Sequence, residues 1–285
     1  MNAVIEASDL SKSYGAHVAL DHVSFQVRPG RIVGLIGPNG AGKTTALRAL
    51  LGLTRYEGRL RVLGREPFRE RAALMQDASF IADVAVLPGW IRVHQAIDYV
   101  AGVHPRFRRE RALALLEKSA IKGNVHVGSL SKGMKTQLHL ALIMAIDAQL
   151  LVLDEPTLGL DILARRSFYD ALVGDYMDQT RTILVTTHQV EEIENLLTDV
   201  LFIDHGRIVL DASVEECTRR FSAVTVGPEQ LEAARTAKPF FERSALGRTV
   251  LYFDGAAPET LQPFGELHTP SVSDLFVAKL SEQRA

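Results

Sequence analysis

Residues 31–51 read Arg31-Ile-Val-Gly-Leu-Ile36, then Gly37-Pro38-Asn39-Gly40-Ala41-Gly42-Lys43-Thr44-Thr45, then Ala46-Leu-Arg-Ala-Leu-Leu51. The first block is apolar and partly β-branched, as in a buried strand, and the third has helical composition and stops at Gly52. Between them the pattern G-x-x-x-x-G-K-[ST] is met by Gly37, Gly42, Lys43 and Thr44. Strand, glycine-rich loop and helix in that order predict an α/β fold built around a turn that holds phosphate.

The chemistry explains the residue types. Gly37, Gly40 and Gly42 let the backbone turn tightly and aim successive N–H groups into one concavity, to which the following helix adds the positive end of its dipole. Lys43 is placed to reach the outer phosphates of a triphosphate, and the Thr44 hydroxyl to ligate the Mg²⁺ that bridges them. Pro38, Asn39, Ala41 and Thr45 complete the cradle, so a triphosphate with Mg²⁺ is the expected ligand. A plain glycine-rich turn with an incidental lysine would leave the matching flanks unexplained.

Composition sets the outer bounds. At 285 residues and 47% hydrophobic content the chain can bury a full core as one large or two smaller domains. Its formal net charge of -2 gives no global sign of nucleic-acid binding or of attraction to an anionic membrane surface. The one cysteine, Cys217, cannot form an internal disulfide, which fits a reducing compartment. The N-terminal MNAVIEASDL has no secretory pattern, and Asp147 with Asp154-Glu155 interrupts the longest apolar stretch.

Upstream of the loop, Ile5–Leu10 and Ala19–Val27 are expected strands, with Tyr14 between them. Tyr14 can stack on a flat base, or serve as an ordinary strand-edge tyrosine. Residues 59–63 and 79–82 suggest short strands. Residues 90–119 suggest two helices, the first with Val93, Ile97 and Val100 on one face. The run Arg106, Arg108, Arg109 and Arg111 reads first as a solvated helix face and second as a docking surface.

Three further stretches carry chemistry. Leu130-Ser-Lys-Gly133 opens a helix, with Ser131 as its N-cap and an end able to receive an anion. Leu150-Leu-Val-Leu-Asp154-Glu155-Pro156 is a buried strand ending in adjacent acids, which packing does not explain because unpaired carboxylates are costly to bury. A magnesium site does, with Asp154 in the metal shell and Glu155 as general base for the attacking water. The strand 182–187 then delivers His188 at its carboxyl end, where ligands gather in open parallel sheets. An acidic helix is expected to follow as far as Leu197, and then a strand pair around Asp204-His-Gly206. Past about residue 213 a small α/β appendage is expected, with strands near 223–226 and 249–253 and a final helix from Ser271.

The order of phosphate loop, L-S-x-G, LLVLDEP, LGLD and TTH resembles the nucleotide-binding subunit of ATP-binding-cassette (ABC) transporters, over roughly Ala3 to Leu210. On that resemblance Tyr14 stacks on adenine, Ser131 and Gly133 are signature residues, Asp161 communicates across a dimer, and His188 contacts the γ-phosphate. The tail around Ser271–Phe276 is similar to that of bacterial exporter-type subunits. The family's LSGGQ is altered here, with Lys132, Met134 and Gln137 at positions usually occupied by glycine, glutamine and arginine. Asp83 stands where a glutamine is usual, as a metal or water ligand, with Gln76 and Gln95 as other candidates.

The expectation is therefore a P-loop ATPase with an N-terminal antiparallel β region, an ATPase domain over 1–212, a helical insert at about 84–148 and an appendage over 213–285. The resemblance implies a second ATPase chain paired head to tail and a separate membrane-embedded transporter subunit that holds the protein at the inner face of the membrane. A soluble ABC ATPase working on ribosomes or DNA, a nucleotide-dependent assembly protein and a small-molecule kinase are the competing readings.

Overall fold

The computed structural model describes residues 3–81, 87–117, 119–158, 160–177, 180–245 and 247–282. Its centre is a six-stranded sheet in the order β5-β6-β7-β3-β8-β9. Strands β3 (Ile32–Ile36), β5 (Ala78–Ile81), β6 (Leu150–Asp154), β7 (Thr182–Thr187) and β8 (Asp199–Asp204) run parallel, and β9 (Arg207–Ser213) is antiparallel on the edge. Every residue of β3, β6 and β7 is buried. Their continuous apolar runs follow from cover on both faces, which an alternating sequence would not tolerate.

Successive side chains point to opposite faces and build two cores. One takes Val33, Leu35, Val152, Leu184 and Ile203 against helix α1 (Lys43–Leu50). That core is closed by a three-stranded antiparallel sheet, order β2-β1-β4, made of β1 (Ile5–Tyr14), β2 (His17–Val27) and β4 (Glu57–Val62). Strand β1 runs four residues past the expected Leu10, because Gly15 at φ 59 allows a tight reversal that pairs Tyr14 with His17. A short helix, α2 (Arg71–Leu74), leads into β5.

The other face takes Ile32, Ile36, Leu151, Leu153, Ile183 and Phe202 against α5 (Lys132–Met144) and α6 (Ile162–Ala171). Ahead of α5, α3 (Val93–Val103) and α4 (Arg109–Glu117) form the helical insert around Val93, Ile97, Leu116, Leu138 and Leu142. The arginine run expected as a solvated face ties this insert down. Arg106 Nη2 meets Asp77 Oδ1 at 2.6 Å, Arg108 pairs with Asp147 and Arg109 with Asp98. Asp77 is buried and also holds Arg65, which follows β4, at 2.8 Å. One carboxylate thus joins the β region, the central sheet and the insert.

Where an acidic helix was expected after His188, the chain makes two 3₁₀ turns, Val190–Glu192 and Glu194–Leu196. The glutamates there are drawn to outside partners: Glu191 and Glu194 to Ser273, and Glu192 to Arg165. Tertiary bonds override helix propensity.

The appendage comprises α7 (Val214–Arg220), β10 (Phe221–Val226), α8 (Leu231–Arg235), β11 (Phe241–Ala245), β12 (Arg248–Asp254), α9 (Pro258–Leu261), β13 (Glu266–His268) and α10 (Val272–Glu282). Its antiparallel sheet, order β11-β12-β10-β13, packs Val224, Val226, Leu251 and Phe253 against α8 and α9. The opposite face meets Ala278 of α10. Helix α10 also sends Val272 and Leu275 into the second core, where the Phe276 ring lies 5.3 Å from that of Phe202. Among the described residues no helix is long and apolar enough to cross a membrane.

Candidate functional site

The glycine loop turns between β3 and α1 at the carboxyl edge of the sheet. Two of its glycines are required by close approach: a Cβ on Gly37 would lie 2.3 Å from the Ile203 carbonyl, and one on Gly42, at φ 110, would lie 2.5 Å from the Ala19 carbonyl. The turn after β8 holds the loop from behind, with the Gly206 N–H donating to the Ala41 carbonyl at 2.9 Å. These contacts leave the loop little freedom.

Lys43 is buried at the foot of the loop. Its Nζ donates to the carbonyls of Gly37 at 2.6 Å and Pro38 at 3.2 Å, and lies 3.7 Å from Glu155 Oε1. Burial pushes its pKa down, and Glu155 and Asp154 pull against that shift. An ammonium held among carbonyls and one carboxylate is readily handed to a more negative group, such as a phosphate.

Asp154 ends β6, buried, and accepts a hydrogen bond from the Thr186 hydroxyl at 2.6 Å. Glu155 follows at φ 46, a left-handed conformation that costs a non-glycine residue about 1–2 kcal/mol. Thr186 sustains it, because the Glu155 N–H donates to the Thr186 carbonyl and hydroxyl, both at 3.2 Å. The twist turns the Glu155 carboxylate toward the glycine loop and toward His188, whose Nδ1 is 2.9 Å away.

A cavity of about 590 Å³ is bounded by Tyr14, the loop from Pro38 to Thr45, Asp154, Glu155 and His188. Tyr14 stands at its mouth, 45% exposed, with Lys12 Nζ 4.9 Å from the ring centre. Thr44 and Asp154 supply oxygen donors to the same space. No group of three or more His, Cys, Asp or Glu side chains among the described residues could hold a metal alone. That donor set suits a hard cation that keeps water and phosphate in its shell.

The expected site residues divide into two sets. Tyr14, the loop, Asp154, Glu155 and His188 converge on the cavity, while Ser131, Gly133 and Asp161 do not line it. Ser131 caps α5, its Oγ accepting from the Met134 N–H at 3.2 Å, and Asp161 is exposed just before α6. Asp83 lies outside the described residues. Of the other candidates, Gln95 is used as a helix cap, accepting from the Arg92 N–H at 2.8 Å, and Gln76 does not line the cavity. Thr186 escaped the sequence reading, although a threonine pair in a fully buried strand, Thr186-Thr187 before His188, was its signal. His17, across the hairpin from Tyr14, also lines the cavity.

The family model described as "ABC transporter" matches residues 20–158. The chain is 33% identical over 276 residues to "Nod factor export ATP-binding protein I" of Cupriavidus metallidurans, covering 92% of this chain and 89% of that protein. It is 33% identical over 293 residues to the protein of the same name in Burkholderia pseudomallei, covering 96% of each. Among solved structures, an ATP-binding subunit of an ABC transporter superposes with a TM-score of 0.69 at 25% identity, over 76% of this chain and 92% of the other.

Proposed function

Because the chain belongs to the ABC transporter family as an ATP-binding, ATP-hydrolysing subunit, we propose that it works as one half of a closing pair. Each ATP is enclosed between the Gly37–Thr45 loop of one copy and the Ser131 end of α5 on the other. The observation that carries this reading is the division of the site. The groups that hold and attack a triphosphate line one cavity, whereas Ser131, Gly133 and Asp161 lie off it. A helix N-terminus with an exposed serine cap offers N–H groups to the γ-phosphate of a facing copy. Closure then follows ATP binding, and loss of the γ-phosphate removes the bridging charge and permits reopening.

Within one cavity the roles follow from position. The loop N–H groups bind the phosphates, Lys43 leaves its carbonyl partners for the outer phosphate oxygens, and Tyr14 stacks on the base. Thr44 and Asp154 would hold a Mg²⁺, which would supply positive charge against the outer phosphates. Glu155 takes the proton from the attacking water, and His188, hydrogen-bonded to it, keeps its carboxylate aimed at the γ-phosphate.

A membrane-embedded subunit turns this cycle into movement of a substrate. Trp90, Tyr99 and Val103 of the helical insert are 78%, 66% and 62% exposed and support docking there. Such docking would hold the chain at the inner face of the membrane. The export in the relatives' names supports outward transport.

A complementation assay tests the pairing. Glu155→Gln and Ser131→Arg chains, each inactive alone, are mixed, and phosphate release from Mg-ATP is measured across total concentration. Mixed pairs contain one intact site, so activity returns, and wild-type activity rises more than linearly with concentration. A mixture that stays inactive, with wild-type activity strictly linear, sinks the pairing.

A further inference from the structure

The β6–β7 ladder ends at the pair Asp154 and Thr186; the Glu155 N–H still donates to Thr186, while the side chains of Glu155 and His188 stand past the last register pair. Beyond that backbone bond, side-chain contacts tie together the two segments that carry them. Arg165, in the first turn of α6, reaches both. Its Nε donates to the Leu160 carbonyl at 2.8 Å, in the segment after Glu155. Its Nη1 meets the Gln189 side-chain oxygen at 3.4 Å, next to His188, and the Glu192 carboxylate. The other Glu192 oxygen lies 3.3 Å from the Thr157 hydroxyl, which is 3.2 Å from the Tyr169 hydroxyl.

These contacts close a loop from Glu155 through Thr157 and Glu192 back to His188. The arginine and glutamate side chains are 25% and 22% exposed, which protects their pairing from the screening that weakens open surface pairs. Arg165 sits on a helix whose Phe168, Tyr169 and Leu172 neighbourhood is buried in the second core, so its base is rigid. Two nitrogens of one rigid guanidinium fork serve these acceptors, a fixed spacing that the single nitrogen of a lysine does not supply.

We infer that Arg165 and Glu192 are positioning residues for ATP hydrolysis, bracing the Glu155 segment against the His188 segment so that His188 keeps the Glu155 carboxylate aimed. The inference rests on the roles given to Glu155 and His188 above. Neither Arg165 nor Glu192 lines the nucleotide cavity, so removing the brace leaves ATP binding intact.

The test is phosphate release by the purified full chain as wild type, Arg165→Met, His188→Ala and the double variant, with ATP binding and thermal melting of each. Arg165→Met is expected to lower kcat about 10- to 100-fold, the cost of a small misplacement of reacting groups. Its KM changes by less than about twofold, and in the His188→Ala background it costs nothing further. Glu192→Gln, which keeps the side-chain shape, moves kcat in the same direction and serves if Arg165→Met does not fold. Independently of turnover, the ring signal of His188 in a histidine-labelled NMR spectrum, identified by its loss in His188→Ala, shifts in both variants.

Wild-type kcat in Arg165→Met and Glu192→Gln beside a slow His188→Ala overturns the brace and leaves the role of His188 standing. So do losses that multiply in the double variant, or an unmoved His188 signal. Wild-type kcat in His188→Ala beside a slow Arg165→Met removes His188 from the mechanism, and the inference with it.

Discussion

Glu155 and His188, 33 residues apart in the chain, meet at 2.9 Å between Oε1 and Nδ1. Each stands just past the end of one of two neighbouring parallel strands, and Lys43 Nζ is 3.7 Å from the same carboxylate oxygen. The proposed base and its orienting group are therefore brought together by the register of one sheet, with the Lys43 ammonium at the start of α1 beside them.

Glu155→Gln keeps the shape and the contact with His188 but removes the basic oxygen. ATP binding should persist while turnover falls by about 10²–10⁴-fold, the usual contribution of a general base. Unchanged phosphate release would take Glu155 out of that role.

Lys43→Ala should act on binding itself. Hydrogen bonds from a charged donor are worth about 1.5–3 kcal/mol, so Kd for ATP should rise roughly 10- to 100-fold in an equilibrium titration. A wild-type Kd would contradict the loop assignment.

Tyr169 makes a pH-dependent contribution beneath the site. Burial, chiefly, pushes its phenol up from the usual 10.0 to about 12. A folded pKa above the unfolded one means that its stabilisation is complete below pH 10 and is lost as pH climbs between the two values. Against Tyr169→Phe, the wild type should lose about 1 kcal/mol by pH 11 and about 2 by pH 12. Urea unfolding of both proteins from pH 9 upward checks this, and parallel curves would mean that the phenol does not titrate as described.

Asp77→Ala should destabilise the whole chain. It leaves Arg65 and Arg106 without the buried carboxylate that joins three parts of the fold. Losing one member of a buried pair typically costs about 3–5 kcal/mol, and the partly exposed arginine ends place this case near 3. A shift in urea unfolding below about 1 kcal/mol would show that the insert is held mainly by its apolar contacts.

Much of the site was legible in the sequence because its chemistry forces local patterns. A phosphate loop needs glycines at fixed spacing, and a strand ending in Asp154-Glu155 has no packing rationale. The family resemblance supplied Ser131, Gly133 and Asp161, which no local pattern ties to the cavity. What stayed hidden depends on partners distant in sequence. Thr186 matters only because β6 and β7 align it with Asp154. Arg165 and Glu192 look like ordinary charges until the fold brings them together. The turns at 190–196 were misread as a helix because their glutamates answer to Ser273 and Arg165. In the appendage, β11 reads Phe241-Glu-Arg-Ser-Ala245 and β13 spans Glu266–His268, too short and too charged to announce strands.

The seating of α10 has a consequence for inheritance as well as for folding. Val272 and Leu275 share a core with Phe202 of the central sheet, and Ser273 holds the turns that follow His188. A premature stop codon shortly before residue 272 would spare every residue that lines the cavity, yet strip the lining from that core and free the wall of the site. Such an allele would behave as a null, and sequencing only the nucleotide-binding motifs would miss its cause.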